Sequence, residues 1–152
     1  LASIASDERP FPILLNSKET YLENFGKYAH FDRAPGSSII KLDAFKTVGG
    51  FSGKRMIGDY EFWFKISRHY KLVKFPFDFY WSRIHNEQES KSPYAKNYPA
   101  LRREIREKAL AHPECPLGEE DLKLVRKLIR RNERRNVFFA RLSKIKNSIK
   151  YK

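Results

Sequence analysis

The pattern of apolar and polar positions changes character once along the chain, from short mixed segments to long helical ones. Near the start, Pro10 and Pro12 precede Ile13-Leu14-Leu15, which predicts a loop entering a short strand or buried segment. Asn16 with Glu19 three residues later forms a capping box for a short helix through about Phe25, ended by Gly26. Ser37-Ser38-Ile39-Ile40-Lys41 follows Pro35-Gly36 and predicts a short buried strand. Asp43 begins one or two helical turns that stop where Gly49 supplies a positive φ. Phe51 then turns back to the core, and the polar link Ser52-Gly53-Lys54-Arg55 leads to Ile57-Gly58. From Asp59 the period is helical: Phe62, Ile66 and Tyr70 lie four apart, with Trp63 beside them. Asp59 occupies the N-cap position of this helix, and Glu61 its first turn. Residues 71–75 and 78–84 are strand-like and separated by Pro76. After Ser92-Pro93 come helices over about 94–111, 118–135 and 137–150, with Pro113 and Pro116 breaking the first from the second. In the last, Phe138, Leu142, Ile145 and Ile149 form an amphipathic stripe.

Composition narrows the class. A chain of 152 residues can bury a core, and 41% hydrophobic with 14% aromatic content describes a globular protein rather than a disordered one. No apolar run approaches the roughly 18 residues of a membrane span, and no signal peptide is recognisable. The chain begins at Leu1 and its one methionine is Met56, so a piece of a longer protein is expected. A single cysteine, Cys115, excludes an internal disulfide and fits a reducing compartment. The net charge of +13 is concentrated at one end: residues 122–152 hold twelve Lys and Arg against one acid, Glu133, leaving +2 over residues 1–121. Such a tail seeks phosphate on lipid headgroups, nucleic acid or another polyanion.

Two side chains stand out as candidate chemistry. Asp59, at a helix start beside a glycine-rich turn, is an N-cap by residue type. It is also suited to be a general base, because the free N–H groups and dipole of a helix start favour a carboxylate. His85 follows a strand among polar neighbours and could contact a metal or phosphate, although no other ligand lies at a local metal-binding spacing. His30, His69 and His112 have no supporting context. There is no Walker loop, no GxGxxG, no nucleophile elbow and no CxxC pair.

Three segments in order carry a resemblance. Gly36-Ser37-Ser38-Ile39-Ile40 with Ala44 through Gly49-Gly50-Phe51 comes first; Gly58-Asp59-Tyr60-Glu61-Phe62-Trp63-Phe64-Lys65-Ile66 comes second; Arg83-Ile84-His85-Asn86-Glu87-Gln88-Glu89-Ser90 comes third. Together, over about residues 35–92, they resemble the C-terminal half of the catalytic domain of family 2 glycosyltransferases, the inverting GT-A enzymes. Gly58 stands where the family often has Glu. The family's nucleotide-binding half, with its βαβ units and DXD metal motif, has no counterpart in residues 1–34, where Asp32-Arg33 is no DXD.

The resemblance implies an α/β fold: a partial GT-A-like half-domain over 1–92 followed by a helical basic extension over 93–152. It implies sugar transfer with inversion from a nucleotide-diphospho-sugar donor to a glycan or lipid-linked acceptor, the isolated fragment being inactive. Asp59 would be the base, and a divalent cation, Mn²⁺ or Mg²⁺, would stabilise the leaving diphosphate. His85 would touch that metal or the diphosphate. Gly49, Gly50, Phe51, Arg83 and Gln88 would bind substrate. Trp63 is expected to pack in the core rather than stack on a sugar, whereas Trp81 could do either. The expected location is cytoplasmic, with residues 137–152 lying on an anionic membrane. The alternatives are a non-catalytic interaction module or a basic nucleic-acid-binding one. Against the latter, many aromatics lie in 51–81, away from the basic cluster, and no specific nucleic-acid motif appears.

Overall fold

The computed structural model describes residues 9–76 and 88–150. It is a mixed α/β structure, mostly helical with one two-stranded sheet. Two compact units divide the chain, residues 1–117 and 118–152, so the division lies well beyond the change of pattern at Pro93.

In the first unit, β1 (Ile13–Leu15) pairs antiparallel with β2 (Leu72–Lys74), Leu14 opposite Val73. Strand alternation buries Ile13 and Leu15 and leaves Leu14 outside. Helix α1 (Ser17–Phe25) starts as the sequence predicts. The Asn16 side chain accepts from the Glu19 N–H at 3.0 Å, and the Glu19 carboxylate accepts from the Asn16 N–H at 2.8 Å. Helix α2 (Leu42–Thr47) ends in Gly49 at φ +77° and Gly50 at φ +59°.

Helix α3 (Gly58–His69) is the element on which the unit is assembled; it packs against α1 and against α4 (Tyr98–Leu110). Its N-terminal half is apolar on more than one side, and it is correspondingly covered on more than one side. Phe64 meets Tyr21, Phe31 and Tyr60 with ring centroids 5.5, 4.7 and 5.0 Å away, mostly edge to face. Phe62 sits in a second cluster with Phe45 and Phe51, at 5.3 and 4.6 Å. Each ring removed from water contributes about 1.5–3 kcal/mol, and such edge-on pairs add roughly 0.5–1.5 kcal/mol. The Tyr21 hydroxyl donates to the Phe64 carbonyl at 2.9 Å, satisfying a polar group in the centre of this cluster.

Three expectations are corrected. Ser37 to Lys41 is not a buried strand. Pro35–Ser37 coils into a 3-10 turn, no described strand lies beside residues 37–41, and the Ile39 side chain is fully exposed. The buried face of α3 is formed by Tyr60, Phe62, Trp63, Phe64 and Ser67, not by the Phe62, Ile66, Tyr70 line, because α1 and α4 cover adjacent sides of the helix. The two helices expected over 118–135 and 137–150 are one, α5 (Glu119–Lys150). It contains no Gly or Pro, so nothing in the backbone interrupts it at Asn136. The first long helix begins at Tyr98, preceded by a 3-10 turn over Pro93–Asn97. The second strand expected over 78–84 lies outside the described residues.

Candidate functional site

Asp59 and Phe51 border a cleft of about 430 Å³, together with Gly53, Lys54, Met56 and Glu89. Its shape comes from the link between α2 and α3. Gly49, Gly50, Gly53 and Met56 all have positive φ, so four left-handed residues in eight fold the link back on itself. Met56, at φ +70°, takes this conformation without the freedom of glycine, a strain that the surrounding contacts must hold. The turn closes when the Gly58 N–H donates to the Lys54 carbonyl at 3.0 Å.

That closure moves the start of α3 two residues earlier than expected. Ile57 occupies the cap position and makes no side-chain cap, Gly58 opens the helix, and Asp59 is its second residue. Asp59 is therefore not an N-cap. Instead its Oδ1 accepts from the adjacent Tyr60 N–H at 2.8 Å. Among the described residues no other hydrogen bond to this carboxylate is present, and Asp59 is half-buried. One oxygen is thus held by backbone in a first helical turn, where negative charge is favoured, and the residue borders the cleft.

Charged pairs fix the walls on either side. Lys54 Nζ donates to Glu61 Oε1 at 2.7 Å. Burial opposes ionisation of Glu61, but the bonds it accepts and the Lys54 ammonium outweigh it and hold the carboxyl below its usual value. Arg55 grips both oxygens of Glu89 and lays its guanidinium over the Tyr94 ring, 3.9 Å from the centroid. The bonds from Arg55 hold the Glu89 carboxyl below its usual value. On the α4 side, Arg102 donates to the Asp32 carboxylate at 2.6 Å and lies 5.0 Å from the Tyr60 ring centroid. Burial raises the Tyr98 hydroxyl above its ordinary pKa; the Arg102 charge opposes that rise, while the Asp32 and Asp59 carboxylates add to it.

The sequence-derived residues separate into three groups. Phe51 and Asp59 border the cleft. Gly49, Gly50 and Gln88 are placed near it in the chain but are not among its bordering residues. At Gly50 the reason for glycine is internal: a Cβ there would stand 2.8 Å from the Phe45 ring, so the close approach is to a core side chain. Arg83 and His85 lie outside the described residues, as does Trp81. Trp63 packs as expected, 8% exposed, its indole N–H donating to the Arg33 carbonyl at 2.8 Å. Sequence reading missed Glu89 as a wall residue and Arg55 as its support, and missed the Arg102 pair beside α3. Their partners are 34 and 70 residues away, so no local spacing could have announced them.

A second cleft, of about 410 Å³, is bordered by Lys65, Arg68, His69 and His112. His69 and His112 each lie 3.9 Å from Glu114. Lys65, Arg68 and His69 stand toward the C-terminal end of α3, where cations answer the negative end of the helix dipole. Among the described residues no group of three or more His, Cys, Asp or Glu is placed to hold a metal ion. None of the described helices is long and apolar enough to cross a membrane. Comparison of the chain with protein-family models, with characterised proteins and with solved structures returns no match.

Proposed function

We propose that this chain forms the acceptor-side part of an inverting, GT-A-type glycosyltransferase of family 2 character, with Asp59 as the general base. The observation that carries the reading is the placement of Asp59: half-buried in the first turn of α3, one oxygen tied to the Tyr60 N–H, and bordering a cleft walled by the strained glycine-rich link. The order of the three segments, the glycine-rich turn, the Asp59 helix and the segment ending at Ser90, supports it from the sequence side.

In such a reaction an acceptor hydroxyl oxygen forms a bond to the anomeric carbon while the bond from that carbon to the nucleotide diphosphate breaks on the opposite face. The hydroxyl proton passes to the free oxygen of Asp59, and the bonding electrons leave with the diphosphate. Phe51, 42% exposed and braced by Phe45 and Phe62, offers the acceptor an apolar surface. A divalent cation would supply charge for the diphosphate. The described residues do not form a ligand set for it, so no step is assigned to the metal.

The test is a transfer assay with a panel of nucleotide-diphospho-sugars, on the protein as its gene encodes it, comparing wild type with Asp59→Asn. Turnover should fall about a hundredfold or more, the usual scale for loss of a general base, while donor binding stays within about twofold. Unchanged turnover in the Asn variant removes Asp59 from the role, and an upstream coding sequence lacking a nucleotide-binding half removes the family reading.

A further inference from the structure

Helix α5 carries a face that the glycosyltransferase reading does not use. Val137, Phe138, Phe139 and Leu142 are between 40% and 59% exposed, four large apolar side chains within six residues. At 100° per residue, Phe138 and Leu142 fall on one line, which the sequence continues at positions 145 and 149 with isoleucine. Arg134, Arg135, Arg141 and Lys146 occupy positions along the borders of that line. The positions opposite it hold Asn136, Ala140, Ser143 and Asn147. An apolar edge, basic flanks and a small, uncharged polar back is the arrangement of a helix that lies in a lipid interface.

Charge decides between occupants of this face. Residues 122–152 hold twelve cations and one acid, so a second copy of the helix would be repelled. A nucleic acid would satisfy the cations but leave Phe138 and Leu142 against a polar backbone. An anionic bilayer takes both sets, phosphates for Lys and Arg and the acyl boundary for the apolar edge. No described helix can span the membrane, so the contact is with its surface.

We infer that the C-terminal half of α5, from Arg134 to Lys150, lies in the interface of an anionic lipid bilayer and holds the protein there. This does not depend on sugar transfer and stands or falls separately from it.

The experiment is vesicle flotation of the whole chain in 150 mM salt, with phosphatidylcholine vesicles alone and with 30% phosphatidylglycerol. The protein should float with the anionic vesicles and bind neutral ones at least tenfold less. Each Lys or Arg near an anionic surface is worth roughly fivefold in partitioning. The variant Arg134→Gln, Arg135→Gln, Arg141→Gln, Lys146→Gln should therefore lose about a hundredfold or more. Phe138→Ser, Phe139→Ser, Leu142→Ser should lose at least tenfold, and far-UV circular dichroism checks that each variant keeps its helix. Failure to float, or flotation unchanged by the serine variant, overturns the proposal. So does binding of a 20-mer duplex or single strand at lower concentration than the anionic vesicles, which would make the tail a nucleic-acid contact.

Discussion

Gly49 and Gly50 sit side by side, share a left-handed backbone and should nevertheless respond very differently to substitution. At Gly49, φ is +77° and a Cβ would meet nothing within 4 Å, so Gly49→Ala costs only the left-handed backbone penalty, about 1–2 kcal/mol. At Gly50, φ is +59° and the added carbon would lie 2.8 and 2.9 Å from two atoms of the Phe45 ring. That ring cannot swing aside freely, because Phe51 and Phe62 each stand 5.3 Å from it, centroid to centroid, and pack on each other at 4.6 Å. Overpacking of this kind adds about 1–3 kcal/mol, for a total of roughly 2–5 kcal/mol in Gly50→Ala. Urea unfolding followed by tryptophan fluorescence measures both variants. The decisive comparison repeats Gly50→Ala in a Phe45→Ala background, where the clash is gone and the cost should fall to that of Gly49→Ala, a coupling of about 1–3 kcal/mol. Equal costs at the two glycines, or no coupling to Phe45, would show that the turn is not held by this contact and that the wall of the Asp59 cleft is built differently.

Other consequences can be checked on the same protein. Burial pushes the Tyr21 hydroxyl up to about 12, above its value of about 10 in the unfolded chain, with the nearby Arg68 opposing the rise. Since the folded pKa is the higher, the stability it contributes is complete below pH 10 and lost as pH rises toward 12. Tyr21→Phe should therefore flatten the alkaline fall in stability over that window, while costing about 1–2 kcal/mol at pH 7 through the bond to the Phe64 carbonyl; an unaltered alkaline limb in a pH series of urea melts would contradict this. Asn16→Ala removes one half of the capping box and should cost about 1 kcal/mol, and adding Glu19→Ala should cost less than the sum, since each residue supports the other's bond.

What the sequence disclosed was local, and what it concealed was held by distant contacts. The Asn16–Glu19 box and the Gly49 stop are decided by residues within four positions of one another, and both stand as expected. The pairing of β1 with β2 required both strands, and composition marked each of them. Ser37 to Lys41 has strand-forming residues, but β-propensity expresses itself only against a neighbouring strand, and none of the described ones lies there. Asp59 was legible as a carboxylate at a helix start. Its displacement from cap to second position came from the Lys54–Gly58 turn, whose left-handed Met56 no propensity suggests. The Arg102–Asp32 and Arg55–Glu89 pairs join charges that nothing in the chain marks as partners among so many others.

The length of α5 has an effect at a distance as well as on contact. Thirty-two residues at about 1.5 Å each make a rod of about 48 Å. Its first turn holds Glu119, Glu120 and Asp121, whereas residues 134–150 hold six cations and no acid. The two ends lie several Debye lengths apart at physiological salt, about 8 Å each, so an external potential acts on them almost independently. Near a negatively charged plane the acidic end is pushed away and the basic end drawn in, a torque that turns the rod before anything touches. Its arrival is then aimed rather than random, and the encounter rate should slow with added salt more steeply than the final affinity of the apolar edge.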